Sequence, residues 1–196
     1  MIKRVCVYCG SGVGGHDGYA QAARTLGRAL VERKIGGGRI GMMGVLAETV
    51  LQAGGEAIGV IPRRLEEKGL ALTTVTSLRV VGSMHERKAL MADLSDAFIA
   101  MPGGYGTAEE FFEALTWAQL SLHAKPCGLL NTKGYFDHLI RFIDHAVQED
   151  FIHPTHRDLM LVDDSPATLL DRLIAYVPPT VDKVAWATNR LREPLE

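Results

Sequence analysis

The sequence lacks long hydrophobic runs, has few cysteines and carries almost no excess of charge of either sign. No apolar run approaches the roughly 18 residues of a membrane span, and three cysteines, an odd number, argue against a disulfide framework. The 21 Lys and Arg against 23 Asp and Glu give a formal charge of −2, which excludes a strongly basic nucleic-acid surface but not a local basic pocket. Because residues 1–10 have the pattern of a strand and not of a signal peptide, we expect a cytoplasmic protein without a membrane or nucleic-acid partner.

The composition is that of one folded domain of ordinary size. Hydrophobic residues make up 47% and charged residues 22% of the 196 positions, so the chain is long and apolar enough to bury a core. No internal repeat or linker divides it. We therefore expect a single domain over residues 1–177 and a peripheral tail over residues 178–196.

Cys6 and Cys9 form a C-x-x-C pair within the first predicted strand. Residues three apart on a strand point to opposite faces of the sheet, whereas a metal or redox pair needs both thiols on one side. We therefore predict that these cysteines are buried structural residues.

Apolar runs alternate with segments of helical periodicity, which predicts an α/β fold built on a doubly wound parallel sheet. The predicted strands cover residues 2–9, 57–61, 78–81, 97–101, 127–130 and 160–162. The predicted helices cover residues 19–34, 45–53, 84–94, 107–122, 136–149 and 165–176.

One connection does not fit such a sheet. The first predicted helix runs directly into a glycine loop, Gly36 to Gly38, where a strand should intervene. Only Lys34 and Ile35 are available for that strand, and two residues are fewer than a typical strand contains. Either this edge of the sheet is truncated, or residues are absent from the sequence.

Glycine is abundant, with 21 residues clustered beside predicted strand ends. The first cluster, Gly10-Ser11-Gly12-Val13-Gly14-Gly15, matches the dinucleotide pattern G-x-G-x-x-G. However, the helix after it begins only near Gly18, and the acidic residue expected to end a second strand is Glu32, in a helix. Three interpretations stay open: a loop that lines a nucleotide pocket, a flexible turn, and the NAD site of an oxidoreductase.

A second glycine cluster joins a buried strand to a long helix, and it reads Pro102-Gly103-Gly104-Tyr105-Gly106-Thr107. With Thr107 as its predicted N-cap, the helix would direct free N–H groups and the positive end of its dipole toward one point. No Lys-Ser or Lys-Thr follows, so this is not an ATP-type loop, and a monophosphate is the natural ligand. Glu109 and Glu110 either complement the dipole or, for at least one of them, face the sugar of the ligand.

A basic pair, Arg87 and Lys88, lies near the start of a helix with Ser83 as its predicted N-cap. Cations are disfavoured at this end of a helix. A solvated surface pair is one interpretation; we favour compensation by an acidic ligand or by Glu109 and Glu110. His85 in the same turn is as consistent with a surface or packing residue as with a catalytic one.

At these two stretches the sequence resembles the Lonely Guy (LOG) family, the cytokinin riboside 5′-monophosphate phosphoribohydrolases, which also carry the older label of possible lysine decarboxylases. The resemblance covers residues 5–176. The motifs that carry it are Met84-His85-Glu86-Arg87-Lys88 and Pro102-Gly103-Gly104-Tyr105-Gly106-Thr107-Ala108-Glu109-Glu110. Support comes from Cys9-Gly10-Ser11, Gly36-Gly37-Gly38 with Gly41-Met42-Met43-Gly44, Ile58-Gly59-Val60-Ile61-Pro62 and Thr116-Trp117-Ala118-Gln119-Leu120.

The resemblance implies a Rossmann-like homodimer that cleaves the N-glycosidic bond of N6-modified AMP, and of AMP in many members, to free base and ribose 5-phosphate without a metal or cofactor. It implies catalytic roles for Arg87 and Glu110. The positions implied to bind substrate are Gly10, Ser11, Lys88, Gly103, Gly104, Tyr105, Gly106, Thr107, Glu109 and Thr116. The family has a full strand before its Gly-Gly-Gly loop, so no role is assigned to Gly36, and none to the segment 65–74.

The residues themselves fit that reaction, because cleavage of a nucleotide C1′–N bond develops positive charge on the ribose that a carboxylate can stabilise. We expect Glu110 to do so while Arg87 holds ribose or phosphate and orients the carboxylate. The alternatives are a non-catalytic nucleotide carrier on the same fold, an NAD-dependent oxidoreductase, and a lysine decarboxylase, which would need a Schiff-base lysine that no motif supplies.

Overall fold

Seven strands form one sheet in the computed structural model, which describes residues 1–38 and 42–179. The strands are β1 (Arg4–Tyr8), β2 (Gly36–Gly38), β3 (Ala57–Pro62), β4 (Ser77–Val81), β5 (Ala97–Ala100), β6 (Cys127–Leu130) and β7 (Met160–Asp163). The helices are α1 (Asp17–Glu32), α2 (Met42–Gln52), α3 (Arg63–Glu66), α4 (Met84–Asp93), α5 (Tyr105–Gln119), α6 (Asp137–Gln148), α7 (Pro154–Arg157) and α8 (Pro166–Ile174), with a 3-10 turn at Thr132–Gly134.

The strands lie in the order β4-β3-β2-β1-β5-β6-β7, and every neighbouring pair is parallel. The chain therefore winds outward from β1 in one direction and from β5 in the other, which confirms the doubly wound, Rossmann-like α/β fold. The order reverses between β1 and β5, and ligands of such sheets bind outside the carboxyl ends of the strands at this switch point.

The strand that the sequence seemed to lack is made of the glycines themselves. Gly36 to Gly38 pair with β1 on one side, where Arg4 is opposite Gly36, and with β3 on the other, where Gly37 is opposite Ala57. Our interpretation of these residues as a loop at a truncated edge was therefore wrong. Glycine has low strand propensity and no side chain to show a pattern, so this strand depends on the two ladders that flank it.

Two apolar layers cover the two faces of the sheet. On one face, side chains of β1 and β5 pack against α1, α2 and α8, with Leu26, Leu30 and Leu169 at the centre. On the other face, alternate residues of the same strands pack against α4, α5 and α6, around Phe98 and Phe111. Successive residues of these strands face one apolar layer or the other, so both sets are apolar. This accounts for the continuous apolar runs of the sequence.

All three cysteines are buried and none forms a disulfide, as predicted for Cys6 and Cys9. Cys6 belongs to the core on the α5 face and Cys9 to the core on the α1 face, so the C-x-x-C pair is divided by the sheet. Burial raises the pKa of the Cys6 and Cys127 thiols to about 12, so both are protonated near neutral pH.

The remaining differences from the sequence prediction concern short elements and ends. The four-residue helices α3 and α7 carry too few residues to show a helical period. Of the predicted tail, residues 180–196 lie outside the described part of the chain. Within the described ranges, no helix has both the length and the apolar character that a bilayer crossing requires.

Candidate active site

Two loops meet at the switch point, one after β1 and one after β5. The backbone N–H of Gly10 donates to the carbonyl oxygen of Pro102 over 3.0 Å, and the N–H of Met101 donates to the carbonyl oxygen of Tyr8 over 2.8 Å. The two main chains therefore run in direct contact. The glycine cluster after the first strand and the glycine turn after the fifth form one continuous surface.

Gly103 is the residue that permits this contact. A Cβ at this position would overlap the Thr107 hydroxyl and would lie 2.6 Å from the backbone nitrogen of Gly10. Gly104 and Gly106, by contrast, have no atom within 4 Å of such a Cβ, and both are exposed. Gly103 is thus required for packing, whereas Gly104 and Gly106 leave open space in front of the turn.

Helix α5 begins directly at this turn. Its N-cap is Gly104, in an extended conformation and without a side-chain cap, and its first residue, Tyr105, is fully exposed. The first N–H groups of a helix have no partner within it, so the turn has the donors and dipole of an anion site. Our prediction of Thr107 as N-cap was wrong: Thr107 is the third helical residue, and its buried hydroxyl packs against Gly103.

Helix α4, which connects β4 to β5, carries the basic pair of the site. Ser83 caps it as predicted, since its hydroxyl accepts a hydrogen bond from the Glu86 N–H over 3.1 Å. The Glu86 carboxylate in turn accepts from the Gly82 N–H over 2.8 Å, which ties the residue before the cap to the first turn of the helix. His85 is exposed in the same turn. The cap fixes the direction in which Arg87 and Lys88 leave the helix.

Both cations of α4 are paired with carboxylates of α5. Arg87 Nη1 donates to Glu110 Oε1 over 2.8 Å, and the two side chains are only 13% and 12% exposed. Lys88 Nζ donates to Glu109 Oε1 over 2.5 Å and to Glu113 Oε1 over 3.0 Å. The predicted compensation of the misplaced cations by Glu109 and Glu110 is therefore present. Glu113, which sequence reasoning missed, lies one turn beyond Glu109 on the same helical face.

The electrostatics of Glu110 and Lys88 differ. Burial raises the pKa of Glu110, and the Glu109 charge adds to this, whereas Arg87 and Lys88 oppose it. The pKa of Lys88 is raised, chiefly by its hydrogen bond to Glu109, against the opposing effect of burial. Glu110 is thus a carboxylate held charged in a partly desolvated place, and Lys88 is firmly cationic.

Beneath this pair lies the end of β1. Tyr8 is buried and stacks on Phe98, with ring centroids 6.0 Å apart. The Glu110 charge raises the pKa of both Tyr8 and Cys6, after the larger effect of burial, so the carboxylate is close to this floor. Because Tyr8 and Cys6 occur in an ordinary strand pattern, nothing in the sequence distinguished them as part of the site.

The other predicted binding residues fall at different distances from the pair. Ser11 is exposed in the loop that follows Gly10. Thr116 is six residues beyond Glu110 on α5, or about 9 Å along the helix axis. Its hydroxyl donates to the carbonyl oxygen of Phe112, and it borders an apolar groove between α5 and α6. Within one chain, the structure does not bring Thr116 to Arg87 and Glu110.

The dinucleotide interpretation of residues 10–15 does not fit the geometry. Helix α1 starts at Asp17, after the whole glycine run, and the Asp17 carboxylate lies in its first turn, where a pyrophosphate would have to bind. Glu32 ends α1 and is not at the end of β2. The loop therefore lines the switch point without the donor arrangement of an NAD fingerprint.

The fold and the site together define a class: a Rossmann-like protein with a glycine turn at a helix amino end and a mostly buried carboxylate–guanidinium pair at its switch point. A family model described as possible lysine decarboxylase matches residues 43–173. The chain belongs to the LOG family of cytokinin riboside 5′-monophosphate phosphoribohydrolases, to which that description has also been applied.

The similarity to named family members extends over nearly the whole chain. A rice protein, probable cytokinin riboside 5′-monophosphate phosphoribohydrolase LOGL9 of Oryza sativa subsp. japonica, is 52% identical over 181 residues, which cover 90% of this chain and 80% of the rice protein. The Arabidopsis thaliana enzyme cytokinin riboside 5′-monophosphate phosphoribohydrolase LOG1 is 46% identical over 197 residues, which cover 97% of this chain and 92% of that enzyme.

Solved structures with this fold include proteins that are named for a different role. The molybdenum cofactor binding protein of Rippkaea orientalis has a TM-score of 0.67 at 20% identity, over 89% of this chain and 97% of that one. The molybdenum cofactor carrier protein of Chlamydomonas reinhardtii has a TM-score of 0.64 at 21% identity, over 90% of this chain and 100% of that one. At such identities the likeness establishes the fold alone.

Proposed function

We propose that this protein is a cytokinin riboside 5′-monophosphate phosphoribohydrolase. It hydrolyses the N-glycosidic bond of N6-modified AMP, and of AMP, to the free base and ribose 5-phosphate. The observation that carries the proposal is the Arg87–Glu110 pair, 2.8 Å apart and mostly buried beside the amino end of α5. Named relatives at 46% and 52% identity support the same activity.

The 5′-phosphate binds at the glycine turn. Gly103, Gly104, Tyr105, Gly106 and Thr107 form the turn and the first turn of α5, where unpaired N–H groups and the helix dipole attract a doubly charged anion. The exposed surfaces of Gly104 and Gly106 leave space for it. Binding the phosphate here fixes the ribose within reach of the neighbouring helix faces.

The chemistry takes place at C1′ of the ribose. As the C1′–N9 bond breaks, its electrons move to the base and C1′ acquires oxocarbenium character. The Glu110 carboxylate stabilises this charge, or accepts a proton from the water whose oxygen bonds to C1′, and the departing base takes up the proton that this water loses. Arg87 holds Glu110 ionised in spite of its burial and contacts the ribose or phosphate oxygens.

The remaining predicted residues bind the substrate around this centre. Lys88 supplies positive charge near the phosphate, and Glu109 orients Lys88. Gly10 and Ser11 contact the substrate from the loop after β1, and Thr116 contacts the nucleotide from farther along α5. Lys88, Glu109, Gly10 and Ser11 are proposed on the family's pattern and on their place near the switch point, and Thr116 is proposed on the family's pattern alone.

A decarboxylase that uses pyridoxal phosphate is a poor fit to this site. A Schiff-base lysine needs a lowered pKa, so that its amine is neutral and nucleophilic. The pKa of Lys88 is instead raised by its hydrogen bond to Glu109, and Glu113 is a second carboxylate partner. Lys88 is suited to contact an anion, not to form an imine.

The product assay separates hydrolysis from simple binding. The purified protein is incubated with AMP and with isopentenyl-AMP, and free base and ribose 5-phosphate are quantified by chromatography. We expect both products in equal amounts, with a rate that is proportional to protein concentration. A protein that binds these nucleotides and releases no base would be a carrier on the same fold, and the proposal would be wrong.

We further propose that the enzyme is a cytoplasmic homodimer. Leu120 and Leu122, at the end of α5 and just beyond it, are 47% and 70% exposed, and such apolar side chains favour burial in an interface. Buried cysteines that form no disulfide fit a reducing compartment. Light scattering on the eluted protein should give twice the chain mass, and Leu122→Asp should shift it toward the monomer. Cell fractionation tests the location.

A further inference from the structure

A tyrosine from a third loop reaches the anion-binding turn. Tyr135 lies between β6 and α6, at the carboxyl edge of the sheet, and its hydroxyl donates to the carbonyl oxygen of Gly103 over 2.6 Å. The residue is distant in sequence from both helices of the site. None of the catalytic or binding roles described above uses it.

The turn that carries Tyr135 is held rigidly. The Asn131 side chain accepts a hydrogen bond from the Phe136 N–H and donates one to Asp137 Oδ1, both over 2.7 Å. Lys133 adopts a positive φ of 56°, and the carbons of its side chain pack on Gly18 at the start of α1. The Tyr135 hydroxyl is therefore presented from a fixed base, which is what a positioning contact requires.

Tyr135 is also linked, through Tyr19 of α1, to the other loop of the site. Its ring meets the Tyr19 ring edge-to-face at a centroid distance of 5.7 Å, and the Tyr19 ring in turn packs against Gly14. Phe136 supports Tyr135 from the other side at 4.9 Å. Tyr135 is thus placed between the glycine loop after β1 and the glycine turn after β5.

We infer that Tyr135 is a positioning residue that fixes the orientation of the Gly103–Gly104 peptide at the phosphate site. In a planar trans peptide the C=O and N–H point in opposite directions. A peptide between two glycines rotates with little steric resistance, and its reversal would turn the Gly103 oxygen toward the phosphate. By binding that oxygen, Tyr135 keeps it away from the anion and directs the Gly104 N–H to the other side.

This inference rests on the proposed phosphate site, so its test measures phosphate binding separately from turnover. Tyr135→Phe removes one oxygen and keeps the ring contacts. The probes are inorganic phosphate, AMP and adenosine, with affinities from calorimetry well below the unfolding temperature, and with KM and kcat for AMP. Tyr176→Phe is the matched control, because Tyr176 lies close to Cys127, at the amino end of β6 and away from the switch point.

We expect Tyr135→Phe to weaken the affinity for phosphate and AMP and to raise KM about fivefold, the effect of one neutral hydrogen bond. We expect kcat to change less than about twofold, while adenosine affinity and Tyr176→Phe stay at the wild-type values. An unchanged phosphate affinity, or equal losses for adenosine and AMP, would overturn the inference. A wild-type protein that binds phosphate without hydrolysing AMP would contradict only the proposed function, since the phosphate measurements still test Tyr135.

Discussion

Arg87 and Glu110 come from the helices that precede and follow β5 in the chain, and 2.8 Å separates Arg87 Nη1 from Glu110 Oε1. Only 13% of the Arg87 side chain and 12% of the Glu110 side chain are exposed. Burial alone would favour a protonated carboxyl group, and the guanidinium opposes that tendency. The pair therefore places a mostly buried carboxylate, whose raised pKa is opposed by Arg87, beside the glycine turn at the start of α5. The predictions below depend on this relationship and on the contacts around it.

Glu110→Gln should abolish turnover while AMP still binds. The amide keeps the size of the side chain but cannot stabilise a cationic ribose or accept a proton, so we expect kcat to fall at least about 100-fold. Binding of AMP is measured by calorimetry and turnover by base release. Glu149→Gln, in an exposed residue at the end of α6, is the control. Hydrolysis by the Glu110 variant at the wild-type rate would remove Glu110 from the mechanism.

Arg87→Ala should destabilise the protein more at neutral pH than in acid. Removal of Arg87 leaves an ionised, mostly buried carboxylate unpaired, which costs about 2–4 kcal/mol of unfolding free energy at pH 7. Near pH 5, protonation of Glu110 relieves part of this loss. Urea unfolding at both pH values measures the difference. Arg87→Lys, which keeps the charge without the planar guanidinium, should retain stability better than activity. An equal loss at both pH values would contradict the prediction.

The pH profile should reflect the raised pKa of Glu110. Activity needs the ionised form, so the acid limb of kcat/KM should lie above the ordinary glutamate value of about 4.3. The contribution of Glu110 to the stability of the fold depends on pH in the opposite direction. The folded chain keeps this proton to higher pH than the unfolded chain, so the stability of the wild type relative to Glu110→Gln should fall as pH rises from about 4.3 through the folded pKa. Parallel curves for the two proteins would show that Glu110 titrates normally.

Lys88→Met should move the acid limb further toward neutral pH. The Lys88 charge lowers the pKa of Glu110, and its removal also leaves Glu109 and Glu113 without their shared cation. We expect a higher KM for AMP and an upward shift of the limb in kcat/KM, measured at constant ionic strength. Lys3→Met, at the exposed start of the chain, is the matched control. If KM increased while the acid limb of kcat/KM did not shift, Lys88 would not influence the pKa of Glu110, and the prediction would be wrong.

Gly103→Ala and Gly104→Ala should differ in stability although the residues are adjacent. A Cβ at 103 would overlap the Thr107 hydroxyl and approach the Gly10 nitrogen to 2.6 Å, so we expect a loss of about 1–3 kcal/mol. A Cβ at 104 has open space and a negative φ of −96°, so the change should stay within about 0.5 kcal/mol. Chemical denaturation of both variants checks this. Similar losses would mean that the two loops are not in rigid contact.

Much of the fold was predictable because its strands are buried on both faces. Runs such as Ala97–Ala100, with all four residues buried, are visible as continuous apolar segments between helical ones. Gly36–Gly38 was not predictable, since glycine carries no pattern and the ladders that hold it come from distant strands. Local signals fail where pairing partners decide the structure.

The residues of the site likewise divide into those that local sequence signals predict and those that tertiary packing decides. The pairing of Arg87 and Lys88 with Glu109 and Glu110 was predictable from helix-end electrostatics, because a cation near a helix amino end calls for a nearby anion. Tyr8 and Tyr135 were not, since each acts through a contact set by tertiary packing and neither carries a local motif. The start of α5 was misplaced because threonine is a common N-cap, whereas an extended glycine serves here.

The two helices that supply the ion pair pack on different strands of the sheet: α4 packs on β3 and β4, and α5 packs on β5, β1 and β6. The pair therefore forms only when both helices have docked on the sheet. A refolding chain should regain its ellipticity before its catalytic competence. A partly assembled form therefore lacks the paired carboxylate on which the proposed hydrolysis depends.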